Sequence, residues 1–228
     1  MNLEKGVYEG YYNMYKIPKI LFDEYFALFS SSIYENASIN RRVSYIKNLE
    51  SFSQGKAATH VLFLQQASFT GNTKTDFESY EVLAEKINTD FEYWGITEKN
   101  VIEEVSRNAT MWDGFPLGAM LEYMTMEDGR VRSDHSILDG IIKPKSDPFW
   151  STNYPPNDYN CRCSAKLVDK EPTDLNELKK ERNVSSFVNK TNGFDVNWGE
   201  VDYVFPKSHT YMKTLRKYKV DAKSFTND

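Results

Sequence analysis

The chain has 228 residues, 40% hydrophobic and 14% aromatic, which is enough apolar material for one sizeable domain or two small ones. Its formal net charge of -5 means that the surface as a whole does not attract nucleic acid or an anionic membrane. No stretch approaches the roughly 20 apolar residues of a membrane span. We therefore expect no membrane partner. A small-molecule substrate is not expected either.

The start of the chain and its cysteines indicate where the protein is made. Residues 1–10 carry Glu4, Lys5 and Glu9 instead of the apolar core of a secretory signal. The two cysteines, Cys161 and Cys163, are one residue apart and form no disulfide framework of the kind that small secreted domains use. Both features predict synthesis in the cytoplasm.

The first helices are predicted from apolar spacing. Pro18 suits the first turn of a helix over residues 18–34. A shorter helix is predicted over 41–50, ending before the polar and glycine-containing cluster at 51–55. Residues 57–67 are apolar enough to be buried, and their length leaves helix and strand open, with helix favoured.

A helical hairpin is predicted next. Thr73 and Thr75 are good N-cap types for a helix that runs from Asp76 through Phe77 to Trp94. Gly95 is expected to end this helix as its C-cap. A second helix is then expected to start at residues 97–98 and to continue to residue 112.

The pattern of apolar residues changes after Gly118. Residues 121–132 alternate loosely around an Asp-Gly turn signal at 127–130, which predicts a β-hairpin. Residues 134–163 have the composition of a loop, but a loop of this length inside a compact domain requires something to hold it. Asp174 then precedes a short capped helix, and the tail is anchored by aromatic residues.

These elements predict an α+β protein. We expect a helical N-terminal part at 1–115, a compact β-containing module at 116–168, and a short helix with an aromatic-anchored tail at 169–228.

Four short motifs follow one another between residues 132 and 163. They are Arg-x-x-His-x-x-Leu-Asp-Gly at 132–140, Asp-x-Phe-Trp at 147–150, Pro-Pro at 155–156 and Cys-Arg-Cys at 161–163. Their order is far more specific than any one of them. The segment resembles the phage Mu F-like minor head protein (phage head morphogenesis) family. The signature residues are Arg132, Leu138, Asp139, Gly140, Asp147, Phe149, Trp150, Pro155, Pro156 and Arg162.

The clear resemblance covers residues 121–168. A weaker similarity at 193–211 has Asn197-Trp198-Gly199 where the family pattern has Asn-Pro-Gly, which leaves the conformation of the tail open.

The resemblance implies a minor capsid protein of a tailed phage or prophage, made in the host cytoplasm and incorporated into the virion. It implies a place in the capsid interior or near the portal, with portal protein, major capsid protein, or both as partners. In some relatives the protein is bound to or ejected with phage DNA. The resemblance implies a structural protein and no enzyme.

The residues themselves indicate a metal site. His135, Cys161 and Cys163 offer three ligands for a structural zinc ion, and Asp134 or Asp139 offers a fourth. A bound ion would explain how the Pro-rich segment stays ordered. Because Cys-x-Cys is tighter than the usual zinc spacing, the alternative is that the cysteines are small buried residues and the histidine makes a local hydrogen bond.

Two further structural roles are predicted for the signature. The carboxylates of Asp139 and Asp147 are expected to accept backbone N–H bonds in turns, with Arg132 and Arg162 as their partners in a buried network. The aromatic residues around the proline pair are expected to form a small internal core, and a peptide-docking groove is the alternative. These aromatic residues are Phe149, Trp150, Tyr154 and Tyr159.

Enzyme alternatives receive less support. A zinc deaminase requires His-x-Glu and Pro-Cys-x-x-Cys, which are missing around His135 and Cys161. A thiol hydrolase would pair a cysteine with His135 but has no local signature here. A metal-dependent toxin or nuclease-like module would have to fit into residues 172–228. His60 and His209 are isolated in the sequence, and a lone histidine is more often a surface or core residue than a catalyst.

A DNA-contacting role is the remaining alternative. The C-terminal tail is locally basic, and clusters of this kind can follow phosphates. A solvated helix face would have the same composition. The candidate residues are Lys213, Arg216, Lys217 and Lys219.

Overall fold

A computed structural model describes residues 17–69, 74–188 and 191–226. Glu4, Lys5, Glu9 and Thr73 lie outside the described residues, as do the side chains of Thr75, Asp76 and Phe77. The mixture of helices and sheet confirms the predicted α+β class.

The chain divides into two compact units. Unit 1 combines the described residues of Met1–Ser32, Ile46–Lys99 and Phe205–Asp228, and unit 2 combines those of Ile33–Tyr45 and Asn100–Val204. Each unit is assembled from stretches that are far apart in the sequence. The division into the three consecutive segments 1–115, 116–168 and 169–228 stays a prediction.

The N-terminal elements are a two-residue strand and three helices: β1 (Ile17–Pro18), α1 (Lys19–Ser30), α2 (Ile39–Phe69) and α3 (Lys74–Gly114). Pro18 is the N-cap of α1, close to the predicted start. The helix ends four residues earlier than predicted, where the hydroxyls of Ser31 and Ser32 both donate to the carbonyl of Leu28.

The predicted break at 51–55 is wrong, because α2 continues through it for 31 residues. Gly55 is a site of close contact and not a terminator. A Cβ on Gly55 would lie 2.4 Å from the carbonyl oxygen of Tyr211. The helical interpretation of residues 57–67 is confirmed.

The predicted hairpin around Gly95 is also wrong, because α3 is one helix of 41 residues. The hydroxyl of Thr97 donates to the carbonyl of Tyr93 inside the helix instead of capping a new one. A glycine in a helix interior costs only about 1 kcal/mol, which burial of a long apolar face outweighs. A Cβ on Gly95 would be in ordinary contact with Leu28, 3.6 Å away.

Unit 1 also contains elements from the C-terminal part of the chain, and its core is aromatic. Its further elements are α7 (Thr210–Tyr218), a 3₁₀ turn at Ala222–Ser224 and β5 (Phe225–Thr226), which pairs in parallel with β1. Phe52 stacks on Phe205 with ring centroids 3.7 Å apart. The parts of α2 and α3 that belong to this unit are antiparallel. Lys56 contacts Glu98, whereas His60, further along α2, contacts Asn88, which lies earlier on α3.

Unit 2 is built on a three-stranded antiparallel sheet. Its strands are β2 (Met120–Met124), β3 (Ile142–Pro144) and β4 (Ser164–Val168), in the order β3-β2-β4. Three short helices, α4 (Ser133–Ser136), α5 (Trp150–Asn153) and α6 (Leu175–Glu181), also belong to this unit.

The predicted β-hairpin over 121–132 is wrong in its second strand. Only β2 forms, and residues 125–132 make turns around Asp128, whose carboxylate accepts the Arg130 N–H at 3.0 Å. The partners of β2 come from far along the chain. Gly140 has a positive φ of 72° and donates its N–H to the Tyr123 carbonyl, which brings the chain back toward β3.

In the C-terminal part of unit 2, α6 forms where the sequence predicts a short capped helix. The structure also gives the conformation around Trp198, which the sequence leaves open. Asp174 caps α6 as predicted, since its carboxylate accepts the N–H groups of residues 176 and 177. Trp198 is buried, and its Nε1 donates to the Pro156 carbonyl at 2.7 Å. A Cβ on Gly199 would lie 2.0 Å from Cγ of Trp112, so the glycine of this motif is required by close packing.

Candidate metal centre

Unit 2 brings His135, Cys161 and Cys163 together, as the sequence predicted. His135 lies on α4. Its backbone N–H donates to the Arg132 carbonyl and to the Asp134 carboxylate, and these bonds hold the first turn of the helix. The cysteines lie immediately before β4. All three side chains are only 3% exposed.

The three side chains point donor atoms at one another. Nδ1 of His135 lies 3.6 Å from Sγ of Cys161 and 3.9 Å from Sγ of Cys163. The three donor atoms all lie within 4.8 Å of one another. This arrangement suits a soft or borderline cation that prefers thiolate and imidazole ligands.

The electrostatics of the group favour a thiolate. Hydrogen bonding from Cys163, followed by that from His135, outweighs burial and lowers the pKa of Cys161 to about 4. The pKa of Cys163 is raised, first by its bond to Cys161 and then by burial. Burial is the largest single effect on His135 and opposes its imidazolium form, but the hydrogen bond to Cys161 and the charges of Cys161 and Asp134 together outweigh burial and raise the pKa. The thiolate is the form of cysteine that binds metals.

The other ring nitrogen of His135 faces a different environment. Nε2 is buried and makes no hydrogen bond within the part of the chain that the structure describes. His135 also lines a cavity of about 440 Å³ together with Asp134 and the segment 185–188. A cavity of this size holds water, which requires polar partners.

The structure does not bring a carboxylate into the donor group. Asp139 accepts the Thr125 N–H at 2.6 Å through Oδ1, and its carbonyl accepts from Arg182 at 2.9 Å. The carboxylate of Asp134 accepts the N–H of His135. Among the described residues, the group therefore has three protein donors, and the zinc assignment stays a prediction.

Asp139 and Asp147 accept backbone N–H bonds, as predicted. The predicted buried network that joins them to Arg132 and Arg162 is wrong. The carboxylate of Asp147 accepts the Phe149 N–H at 2.8 Å, and Asp139 accepts a backbone N–H as noted. The arginines have other partners: Arg132 pairs with Asp158 at 3.3 Å, and Arg162 pairs with Asp128 at 2.8 Å. These four side chains are 25% to 42% exposed, so each arginine reaches a nearby surface carboxylate without being desolvated.

Most of the predicted aromatic core is internal. Phe149, Trp150 and Tyr154 are buried, with Trp150 in edge contact with both neighbours. Pro155, Pro156 and Leu138 are buried as well. Tyr159 differs, because it is half-buried and packs on Phe194 instead. Burial of the three rings contradicts a peptide-docking groove made from them.

The basic candidates lie on one short helix of unit 1. Lys213, Arg216 and Lys217 are exposed on α7, and Lys219 is its left-handed C-cap with a φ of 52°. Lys213 and Lys217 are one turn apart and line a cavity of about 690 Å³ with apolar residues of α2. The contact with DNA stays a prediction.

Sequence reasoning missed a buried ion pair in unit 1. Nζ of Lys56 lies 2.7 Å from Oε2 of Glu98, and the Lys56 side chain is fully buried. Four aromatic rings surround the ammonium with centroids 4.9 to 6.0 Å away, and they belong to Tyr25, Phe29, Phe91 and Tyr211. A single lysine in a helical pattern gives no signal of such burial.

His60 is a core residue that makes unit 1 sensitive to acid. Its Nδ1 lies 2.9 Å from the Tyr25 hydroxyl, and its Nε2 lies 2.8 Å from Oδ1 of Asn88. Burial lowers the pKa of His60 from 6.5 to about 4. The unfolded chain therefore binds a proton at a higher pH than the folded chain, and stability is lost as pH falls from about 6.5 to about 4.

We expect His60 alone to remove about 3 kcal/mol from the free energy of unfolding between about pH 7 and about pH 4. Urea titrations of the wild type and of His60→Gln at both pH values measure this contribution. The variant should lose less stability on acidification. Equal losses in the two proteins would show that His60 is not held neutral.

None of the helices that the structure describes combines the length and the apolar character that a membrane span requires.

Comparisons with known proteins agree with the signature. Residues 78–166 match the family described as "Phage Mu protein F like protein". "Putative capsid assembly protein F" of Escherichia phage Mu is 37% identical over 62 residues, covering 27% of this chain. "Mu-like prophage FluMu F protein" of Haemophilus influenzae is 31% identical over 83 residues, covering 36%. The matches span only 14% and 20% of these two relatives.

No solved structure matches the chain. The family match begins earlier than the predicted 121–168, because it includes most of α3, and it ends before the 193–211 segment. The predicted resemblance to the phage Mu F-like family is therefore confirmed over residues 78–166, the segment that holds β2 and the three grouped donors.

Proposed function

We propose that this chain is a minor head protein that acts in the assembly of a tailed-phage or prophage virion. It binds portal protein or major capsid protein, it stays in the capsid interior or near the portal, and it catalyses no reaction. The observation that carries the proposal is the match of residues 78–166 to the phage Mu protein F-like family, together with the 62-residue similarity to a protein named as a putative capsid assembly protein.

The chemistry of unit 2 supports a scaffold role. Its signature residues are used for packing and turns: Trp150 is buried, Asp147 holds a turn, and the carbonyl of Pro156 accepts a hydrogen bond inside the unit. The cysteines and His135 bond to one another inside the unit. These contacts build a stable surface for a partner.

Two exposed apolar side chains of the matched segment are candidates for that surface. Leu117 is 89% exposed and Met126 is 54% exposed. Single exposed apolar residues are common on protein surfaces, so variants at both positions test whether they form an interface. Val188 is 53% exposed, belongs to the same unit and lies outside the matched segment, which makes it a matched control.

The experiment is co-expression of the full chain with the portal protein or the major capsid protein encoded by the same phage. We expect the chain to co-purify with one of them, Leu117→Asp or Met126→Asp to weaken the complex, and Val188→Asp to leave it intact. Failure to bind either protein would overturn the proposal. Mass and circular dichroism of each variant control for misfolding.

A second candidate function is contact with phage DNA, favoured by the exposed cations of α7. In the same preparation, binding to duplex DNA that falls steeply with salt would support it. Replacing Lys213 and Lys217 by Gln should then reduce the salt dependence. Binding that is unchanged in this variant would exclude α7 as the contact.

A further inference from the structure

We propose that unit 2 holds a zinc ion through Sγ of Cys161, Sγ of Cys163 and Nδ1 of His135, with solvent as the fourth ligand. The site does not depend on the proposed role in head assembly. The spacing of the donors, their burial and their places in the chain support it.

The two sulfur–nitrogen distances are close to those of a tetrahedral zinc site. With Zn–S of about 2.3 Å and Zn–N of about 2.0 Å, tetrahedral angles place sulfur and nitrogen about 3.5 Å apart. The two Sγ–Nδ1 distances are 3.6 and 3.9 Å. All three donor atoms lie within 4.8 Å of one another, and tetrahedral zinc places two sulfurs about 3.8 Å apart, so binding requires side-chain shifts of at most about 1 Å.

Burial argues that the group has a purpose beyond packing. Two thiols and an imidazole that are each 3% exposed have given up most of their hydration. Two thiolates around Zn²⁺ form a neutral centre when the imidazole is neutral, so the occupied site buries no net charge. Metal binding displaces the protons of the ligands into solvent.

The positions of the ligands give the ion a structural task. His135 lies near the start of the segment 134–163, and Cys161 and Cys163 lie at its end. An ion that joins them closes this segment, which has little regular secondary structure apart from β3 and two short helices. Closure of such a loop by a metal stabilises the folded state.

Solvent is assigned as the fourth ligand because the described residues supply three donors and no fourth. The cavity of about 440 Å³ that His135 lines gives water access to this region. A site with an exchangeable position should release its ion to a strong chelator faster than a site closed by four protein ligands.

The first test is the metal content of the full chain, purified under reducing conditions and measured by elemental analysis. We expect one zinc ion per chain. Replacement by Co²⁺ should give the thiolate-to-cobalt charge-transfer absorption and the visible bands of a tetrahedral site. X-ray absorption at the zinc edge should show two sulfur ligands and two nitrogen or oxygen ligands.

Variants then assign the ligands. Cys161→Ser, Cys163→Ser and His135→Gln should each bind less metal and lose or change the cobalt spectrum. His60→Gln is the matched control, since His60 is also a buried histidine but belongs to unit 1. It should retain one ion per chain.

If the ligand variants do not fold, measurements on the wild-type protein test the zinc site instead. Bound zinc should protect both thiols from alkylation, and a chelator should remove that protection and lower the melting temperature. A chain that takes up neither zinc nor Co²⁺ under reducing conditions, with thiols equally reactive with and without added metal, would overturn the proposal. A spectrum without thiolate charge transfer would also overturn it.

Discussion

Replacing Lys56 by Met is expected to lower the free energy of unfolding by about 3–5 kcal/mol at neutral pH. The ammonium is fully buried, 2.7 Å from a Glu98 carboxylate whose side chain is 6% exposed. Methionine fills a similar volume among the aromatic rings but leaves that carboxylate without its counter-ion. Denaturant titration of the two proteins measures the difference.

The double variant Lys56→Met/Glu98→Gln separates charge from packing. The uncharged glutamine amide introduced by this change still offers a side-chain oxygen to Tyr211, the other group that bonds to Glu98. We expect the double variant to recover much of the lost stability, because no unpaired charge remains buried. If it were as unstable as Lys56→Met, the loss would come from packing and not from the carboxylate.

The pH dependence of Lys56→Met provides a second check. Burial raises the pKa of Glu98 to about 7 even with Lys56 opposing it, and removal of the lysine should raise it further. A raised carboxyl pKa favours the folded state below the unfolded pKa, and that advantage is lost as pH rises through the folded pKa. The variant should therefore be closest to wild type near pH 5 and weakest above pH 8. A penalty independent of pH would contradict this account.

Replacing Trp150 by Ala is expected to lower the free energy of unfolding of unit 2 by about 3–5 kcal/mol. Trp150 is 1% exposed, touches Phe149 and Tyr154 through ring edges, and donates from Nε1 to the Pro144 carbonyl at 3.1 Å. Alanine would leave a cavity inside the unit. Urea titration followed by tryptophan fluorescence and near-UV circular dichroism measures the loss.

Two controls separate the ring from its hydrogen bond. Trp150→Phe keeps an aromatic ring but leaves the Pro144 carbonyl without this donor, so we expect a loss of about 1–2 kcal/mol. Trp94→Ala removes a tryptophan that is 37% exposed and should cost less than Trp150→Ala. Equal losses for the alanine variants at 94 and 150 would show that Trp150 is not a core anchor.

Local chemistry was predictable wherever a few neighbouring residues decide the outcome. Pro18 marks the start of α1, Asp174 caps α6, and Asp147 holds its turn. The grouping of His135 with the cysteines followed from motif order and ligand type. In each case the interaction joins residues close in the chain or donors of matching chemistry, so the sequence carries the information.

Long-range packing decided the rest. Gly55 and Gly95 have the local character of helix ends, yet both lie inside helices, because burial of a long helix face outweighs the cost of a glycine. Arg132 and Arg162 pair with Asp158 and Asp128, since charged side chains take whichever opposite charge the fold brings within reach.

By itself the sequence determined the fold class, the family resemblance and the donor types of the candidate metal centre. The tertiary structure decided that β2 pairs with β3 and β4, that Lys56 is enclosed with Glu98, and that Asp139 holds Thr125 instead of joining the donors. The physical reason is that strand partners, buried charges and ligand distances depend on residues brought together only when the chain folds, and local propensity carries no information about them.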